Sequence, residues 1–256
     1  MSIPFISHTI DDKIVLDSIK ALPAELFVVG GMAVQAHVKT KRPDEIFRTT
    51  SDLDTETARR IPYSIFLETV FEPMKSQLDG YTCTAKRGSR AFEVQVVNNE
   101  TGERLAVHGN RYSEKHYNRS RNMLERELEN IKLLNVDGTK SRIAAPEDII
   151  VTKIERLVRN IKNFRVTPAY LSASELNANR VALYDSFDQS EPTDLAKMRA
   201  DKDVYDIKIM NENIELNPEY LKIAAKDWKR LELLKPAGPI RRKIARFTPP
   251  GLIDNL

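Results

Sequence analysis

At Pro146 the hydrophobic period of this chain changes, and that change limits the architecture more than any other single feature. Before it, short apolar runs end at glycines or alternate with polar residues, as in "ELFVVGG", "YTCTAKRG" and "RAFEVQVVNNETGERLAVHG". Such patterns mark buried strands and hairpins. After it, "APEDIIVTKIERLVRNIKNF", "TDLAKMRADKDVYDIKIMNEN" and "NPEYLKIAAKDWKRLELLK" carry apolar residues at helical spacing, the first opened by a proline and acids. Residues 1–145 are therefore expected to form a mixed α/β domain and residues 146–256 a mostly helical one.

Within the first part, "DDKIVLDSIKAL" reads as a helix with Asp11 or Asp12 as N-cap. A helix is expected from Met32 through "MAVQAHV", a strand ending in "TSDLDTE", and another helix in "IPYSIFLETVFEPMKSQL". "SRNMLERELENIKLLNVDG" has helical spacing and a glycine stop, so a helix is expected there too. Between Thr167 and Thr193 the chain is polar and weakly periodic, with room for a short helix between loops.

Apolar residues make up 41% of the chain and charged ones 30%, the balance of a soluble globular protein. Cys83 is the one cysteine, which excludes an intramolecular disulfide. The first twenty residues lack a signal-like core, and no run nears the roughly 20 apolar residues of a spanning helix. The expectation is a cytoplasmic protein with no membrane partner. A net charge of +3 permits an acidic partner without demanding one. His8, His37, His108 and His116 show no metal-ligand spacing, so no structural zinc is expected.

Chemistry is concentrated in "FVVGGMAVQAHVKTKRPDEIFRTTSDLDTE". Gly30 and Gly31 have no Cβ, so the backbone can turn sharply and a ligand can approach it closely. A helix starting just beyond them aims its unpaired N–H groups at the turn, which favours a phosphate. In an extended segment Asp52 and Asp54 share a face while Leu53 points to the core. Two carboxylates so placed repel unless water or a cation separates them, and a hard divalent cation takes carboxylate and phosphate oxygens together. A solvated turn and strand end is the plain alternative.

Two further observations concern the helical part. In residues 149–161, Ile149, Ile150, Ile154, Leu157 and Ile161 fall within an arc of about 140°, and Lys153 lies inside it. Thr152, Glu155, Arg156 and Arg159 lie on the other side. A lysine on a packing face is costly to bury without a partner: it snorkels to solvent, pairs with an internal acid, or meets an anion of the site. Asp203 and Asp206, three apart, share one side of a helix. Between Lys222 and Arg246 there are nine Lys/Arg against two acids, with Arg241, Arg242, Lys243 and Arg246 the densest group. Arg111, Lys115, Arg119, Arg121 and Arg126, interleaved with Tyr112, His116 and Tyr117, form a second basic stretch. Basic side chains track RNA phosphates and aromatics stack on unpaired bases, though a solvated helical face looks the same in sequence.

A strand, a Gly-Gly turn, a helix and then Asp-x-Asp is the signature of the nucleotidyltransferase superfamily. With Pro146-Glu147-Asp148 leading to Lys153, and Asp203-Val204-Tyr205-Asp206 after Lys202, the chain resembles the AbiEii-type (abortive infection) and MenT-type nucleotidyltransferase-like toxins of bacterial toxin–antitoxin systems. The resemblance covers roughly residues 25–210. It departs from the family in a longer gap between Gly31 and Asp52, as though "KTKRPDEIF" were inserted, and in Met32, where a small hydroxyl residue is usual.

The resemblance implies a nucleotidyltransferase-fold mixed sheet with flanking helices, to which a mostly helical C-terminal part contributes Lys153 and Asp203. It implies transfer of NMP from an NTP to an acceptor hydroxyl. Asp52 and Asp54 would hold Mg²⁺ or Mn²⁺ against the triphosphate, with Glu93 the available third ligand. Gly30 and Gly31 would admit phosphate oxygens and Lys153 would neutralise them. Asp203 would orient or deprotonate the acceptor, with Asp206 as an additional acid. The implied acceptor is the 3′ end of tRNA, and the implied setting a toxin with a cognate antitoxin. Two other readings remain: a transferase acting on a small molecule or protein hydroxyl, and an inactive nucleotide- or RNA-binding module.

Overall fold

The computed structural model describes residues 12–42, 52–57, 61–87, 91–110, 114–136, 138–185, 192–230 and 238–249, with only the backbone at 12, 91, 110, 114–120, 180–185, 228–230 and 238–239. Asp11, Arg111, Tyr112 and most of the "KTKRPDEIF" insertion lie outside the described residues, as do the side chains of Lys115, His116, Tyr117 and Arg119. The described residues divide into two compact units, one before Pro146 and one from Pro146 onward.

The first unit carries a mixed seven-stranded sheet with flanking helices. Its strands are β1 (Phe27–Val28), β2 (Asp52–Glu56), β3 (Tyr81–Arg87), β4 (Ala91–Asn98), β5 (Arg104–Asn110), β6 (Lys132–Val136) and β7 (Thr139–Ile143). Their spatial order is β3-β4-β5-β2-β1-β7-β6. The alternating segments expected to form a hairpin make an antiparallel three-stranded meander, β3-β4-β5. Its last strand lies parallel to β2, β2 runs antiparallel to β1, and β1 runs parallel to β7.

The helices of this unit are α1 (Asp12–Lys20), α2 (Gly30–Lys39), α3 (Tyr63–Phe66), α4 (Glu72–Gln77) and α5 (Glu114–Glu129), with a wide π turn at Leu67–Phe71 between α3 and α4. Helix α2 is apolar nearly all round, and Met32, Ala33, Val34, Ala36 and Val38 are buried, as expected of a core helix. It begins at Gly30 rather than Met32, because a residue without Cβ can take φ +69° and still enter the helix. The segment read as one helix from Ser120 to Gly138 is corrected: α5 stops at Glu129 and Lys132–Val136 is a strand. Pairing with β7 across a turn in which Gly138 takes φ +80° overrides the helical spacing.

The second unit is helical: α6 (Pro146–Phe164), α7 (Ala173–Asp185), α8 (Pro192–Asn213), α9 (Pro218–Arg230) and α10 (Gly238–Ala245). Helices α6, α8 and α9 each open on proline, whose fixed φ suits a first turn. The short helix expected between Thr167 and Thr193 is α7. It is held by a capping box in which the Ser172 N–H donates to Glu175 at 2.7 Å and the Glu175 N–H donates to the Ser172 hydroxyl at 3.3 Å. Asn217 caps α9 with its side-chain oxygen, accepting from the N–H groups of Glu219 and Tyr220. Helix α6 packs on α8, α9 and α10, and its Ile150, Ile154 and Leu157 are fully buried.

Candidate metal centre

Strand β2 alternates as its sequence requires. Leu53 and Thr55 are buried at 0% and 1% exposure, while the carboxylates of Asp52 and Asp54 come out on the opposite face. The turn before α2 fits against this face. An ideal Cβ built on Gly30 would stand 2.5 Å from Asp54 Oδ2, 3.1 Å from its Cβ and 3.2 Å from its Cγ. With φ at +69° as well, only glycine holds this position without strain. The two halves of the sequence motif thus meet in space: the space a side chain would fill at Gly30 is taken by the carboxylate of Asp54. No side chain caps α2, and no acid lies in its first turn.

The sheet adds a residue that spacing along the chain does not reveal. Strand β5 runs parallel to β2 with Asp54 opposite His108, and β4 runs antiparallel to β5 with Glu93 opposite His108. Residues opposite each other in a ladder share a face, so Asp54, His108 and Glu93 form a row across three strands. His108 Nδ1 lies 3.5 Å from Asp54 Oδ1 and 3.9 Å from Asp52 Oδ2, and its Nε2 lies 3.6 Å from Glu93 Oε2. Three negative groups therefore surround one imidazole. The hydrogen bond with Asp54 raises the His108 pKa above 6.5; the charges of Asp54, Asp52 and Glu93 act the same way, against the opposing effect of partial burial.

Asp52, Asp54 and His108 each offer a donor atom within 4.8 Å of the other two, the one such cluster among the described residues. Two carboxylates and an imidazole are a donor set for a divalent cation, and side chains about a third exposed leave room for further ligands from solvent or substrate. The residues fit a metal. Spacing along the chain gives no sign of His108, which comes beside the aspartate pair through strand register, 54 positions from Asp54. Glu93, expected as the third ligand, lies outside the cluster and faces the far nitrogen of His108.

In the second unit Lys153, Asp203 and Asp206 meet one another. The Lys153 ammonium, 2% exposed, lies 2.5 Å from Asp206 Oδ2 and 3.5 Å from Asp203 Oδ1. Asp203, fully buried, also receives both arms of the Arg156 guanidinium, Nε at 2.8 Å and the terminal nitrogen on Oδ1. Two cations thus balance two anions. Of the two partners open to Lys153 in sequence, internal acids and an anion of the site, the acids hold it here. Glu155 is buried rather than on the outer face, and burial raises its pKa, opposed by Arg159 and Arg156 and assisted by the charge of Asp203. On α10, Arg242 and Lys243 are exposed and Arg241 is half-buried. Arg246, just beyond, is exposed, donates to the Pro168 carbonyl at 3.4 Å and lies over the Phe247 ring.

No described helix is long and apolar enough to cross a membrane. No family model and no curated protein matches the chain. Among solved structures it is similar to an antigenic nucleotidyltransferase-like protein from Paracoccidioides brasiliensis, 14% identical over 91% of this chain and 98% of that one, with a TM-score of 0.46. It is also similar to JHP933 from Helicobacter pylori, 12% identical over 86% and 96%, with a TM-score of 0.35.

Proposed function

We propose that the protein is a metal-dependent nucleotidyltransferase that moves a nucleoside monophosphate from an NTP to an acceptor hydroxyl. The observation that carries this reading is the contact of the Asp54 carboxylate with Gly30 at the start of α2, with Asp52 and His108 on the same sheet face. That contact puts a cation-binding pair beside uncapped helix N–H groups, and a polyphosphate with its counter-ion needs both. A divalent cation bound there supplies positive charge that neutralises the phosphate oxygens. In this reading the first-turn N–H groups of α2, beside Gly30 and Gly31, donate to phosphate oxygens. Aligning the acceptor hydroxyl with the α-phosphorus, opposite departing pyrophosphate, is positioning work of the kind that dominates phosphoryl transfer.

Lys153, Asp203 and Asp206, which the resemblance assigns to phosphate neutralisation and to the acceptor, are held by one another and by Arg156 in the second unit. The acceptor is the 3′ end of tRNA, held by the basic side chains of Arg241, Arg242, Lys243 and Arg246, and the setting is a toxin with a cognate antitoxin. The exposure of Arg242 and Lys243 supports an RNA partner, since buried cations cannot track a backbone. The test is incubation with tRNA, Mg²⁺ or Mn²⁺ and each labelled NTP in turn. Label should enter the RNA with one or more nucleotides and vanish in Asp52→Ala. Absence of label with all four sinks the reading. Arg242→Glu with Lys243→Glu should weaken RNA binding and flatten its salt dependence. A salt-independent substrate would instead indicate a small-molecule or protein acceptor.

A further inference from the structure

The two nitrogens of His108 face different groups. Nδ1 is turned to the Asp52/Asp54 pair at 3.9 and 3.5 Å, and Nε2 to Glu93 at 3.6 Å. A neutral imidazole has one N–H and one lone pair, and the group met by one nitrogen fixes the role of the other. Carboxylates only accept, so without a cation both sides compete for a proton. A cation on the aspartate pair resolves the competition. With the lone pair of Nδ1 turned to the cation, the proton stays on Nε2, and Glu93 accepts the hydrogen bond that this N–H donates. A carboxylate behind a metal-bound histidine is a recurrent way of fixing the ring and strengthening its nitrogen as a ligand.

We propose that His108, through Nδ1, is the third protein ligand of the cation held by Asp52 and Asp54, and that Glu93 is a positioning residue that accepts the Nε2–H and does not touch the metal. The proposal rests on the reading of the aspartate pair as a metal site. It carries a consequence for the cation. An imidazole nitrogen is a poor ligand for Mg²⁺ and a good one for first-row transition ions, so the site prefers Mn²⁺ or Co²⁺ to Mg²⁺. The register supports the division of roles: Glu93 is two strands from Asp54 with His108 between them.

Metal binding by the purified chain, without nucleotide, tests this. Calorimetry with Mg²⁺, Mn²⁺ and Co²⁺, together with the visible absorption of bound Co²⁺, should show Co²⁺ at least about tenfold tighter than Mg²⁺. His108→Asp should lower the ratio of the two affinities and change the Co²⁺ spectrum. Glu93→Gln should weaken Co²⁺ binding by about 10- to 100-fold while keeping the spectrum of a nitrogen-ligated ion, and Glu93→Asp should restore part of the loss. The imidazole ¹⁵N signals of the unmutated protein with Zn²⁺ should show His108 protonated at Nε2, a measurement independent of how any variant folds. An unchanged Co²⁺/Mg²⁺ ratio in His108→Asp, or a proton on Nδ1, overturns the proposal while leaving the aspartate site standing. No binding of any of these ions by the unmutated protein overturns both.

Discussion

His108 Nδ1 lies 3.5 Å from Asp54 Oδ1 across the β5–β2 ladder, with the ring a third exposed. The hydrogen bond and three nearby carboxylates favour the imidazolium in the metal-free protein. Its titration midpoint should therefore lie above 6.5 by ¹H–¹⁵N or ¹H–¹³C NMR, and Asp54→Asn should bring it down. The associated stability has the sign of a raised group: present below 6.5 and lost as pH rises through the folded midpoint. A midpoint at or below 6.5 in the unmutated chain would contradict the arrangement of Asp52, Asp54 and Glu93 around the ring.

Gly30→Ala should be costly beyond its size. The backbone at φ +69° penalises a side chain, and the new methyl would press on Asp54 at three atoms. Strain of this kind costs on the order of 1–3 kcal/mol. Urea unfolding should show a loss in that range, and the His108 midpoint should fall because Asp54 is pushed aside.

His37 offers a pH test of the first unit. It is 5% exposed, its Nε2 is 2.8 Å from the Ala144 carbonyl, and burial lowers its pKa from 6.5 to about 4. Above pH 6.5 both folded and unfolded chains hold it neutral. Between 6.5 and about 4 the unfolded chain takes up a proton that the folded one refuses, so stability falls with falling pH, by roughly 3 kcal/mol across the window. Urea midpoints measured from pH 7.5 to 4.5 should drop more steeply for the unmutated protein than for His37→Gln. Parallel curves would refute the assignment.

Lys153 and Asp206 should behave as a buried pair. Lys153→Met leaves the Asp206 carboxylate without its 2.5 Å partner inside the helical unit, while Asp203 keeps Arg156. Breaking such a pair costs about 3–5 kcal/mol, whereas replacing both members with apolar residues is often close to neutral. Lys153→Met with Asp206→Leu should thus recover most of the stability lost in Lys153→Met alone. A double variant no more stable than the single one would mean that the charges hold the helices by more than mutual neutralisation.

Much of this molecule follows from local rules. The alternation around Leu53 dictates that Asp52 and Asp54 emerge on one face, because successive side chains of a strand point to opposite sides. The apolar arc of α6 dictates that Lys153 is buried and must find a counter-charge. Proline and capping signals open α6, α8 and α9 where the period changes. Each depends only on residues within a few positions of one another. What the tertiary structure decided are the partners. Lys132–Val136 became a strand because β7 lies beside it, and its own helical spacing pointed the other way. Lys153 went to Asp206 and Asp203 on α8, a choice between anions that helix period cannot make. His108 came to lie beside Asp54 through the parallel pairing of β5 with β2, and Glu93 beside His108 through the antiparallel pairing of β4 with β5. Strand register is set by the sheet as a whole, so spacing along the chain holds no record of it.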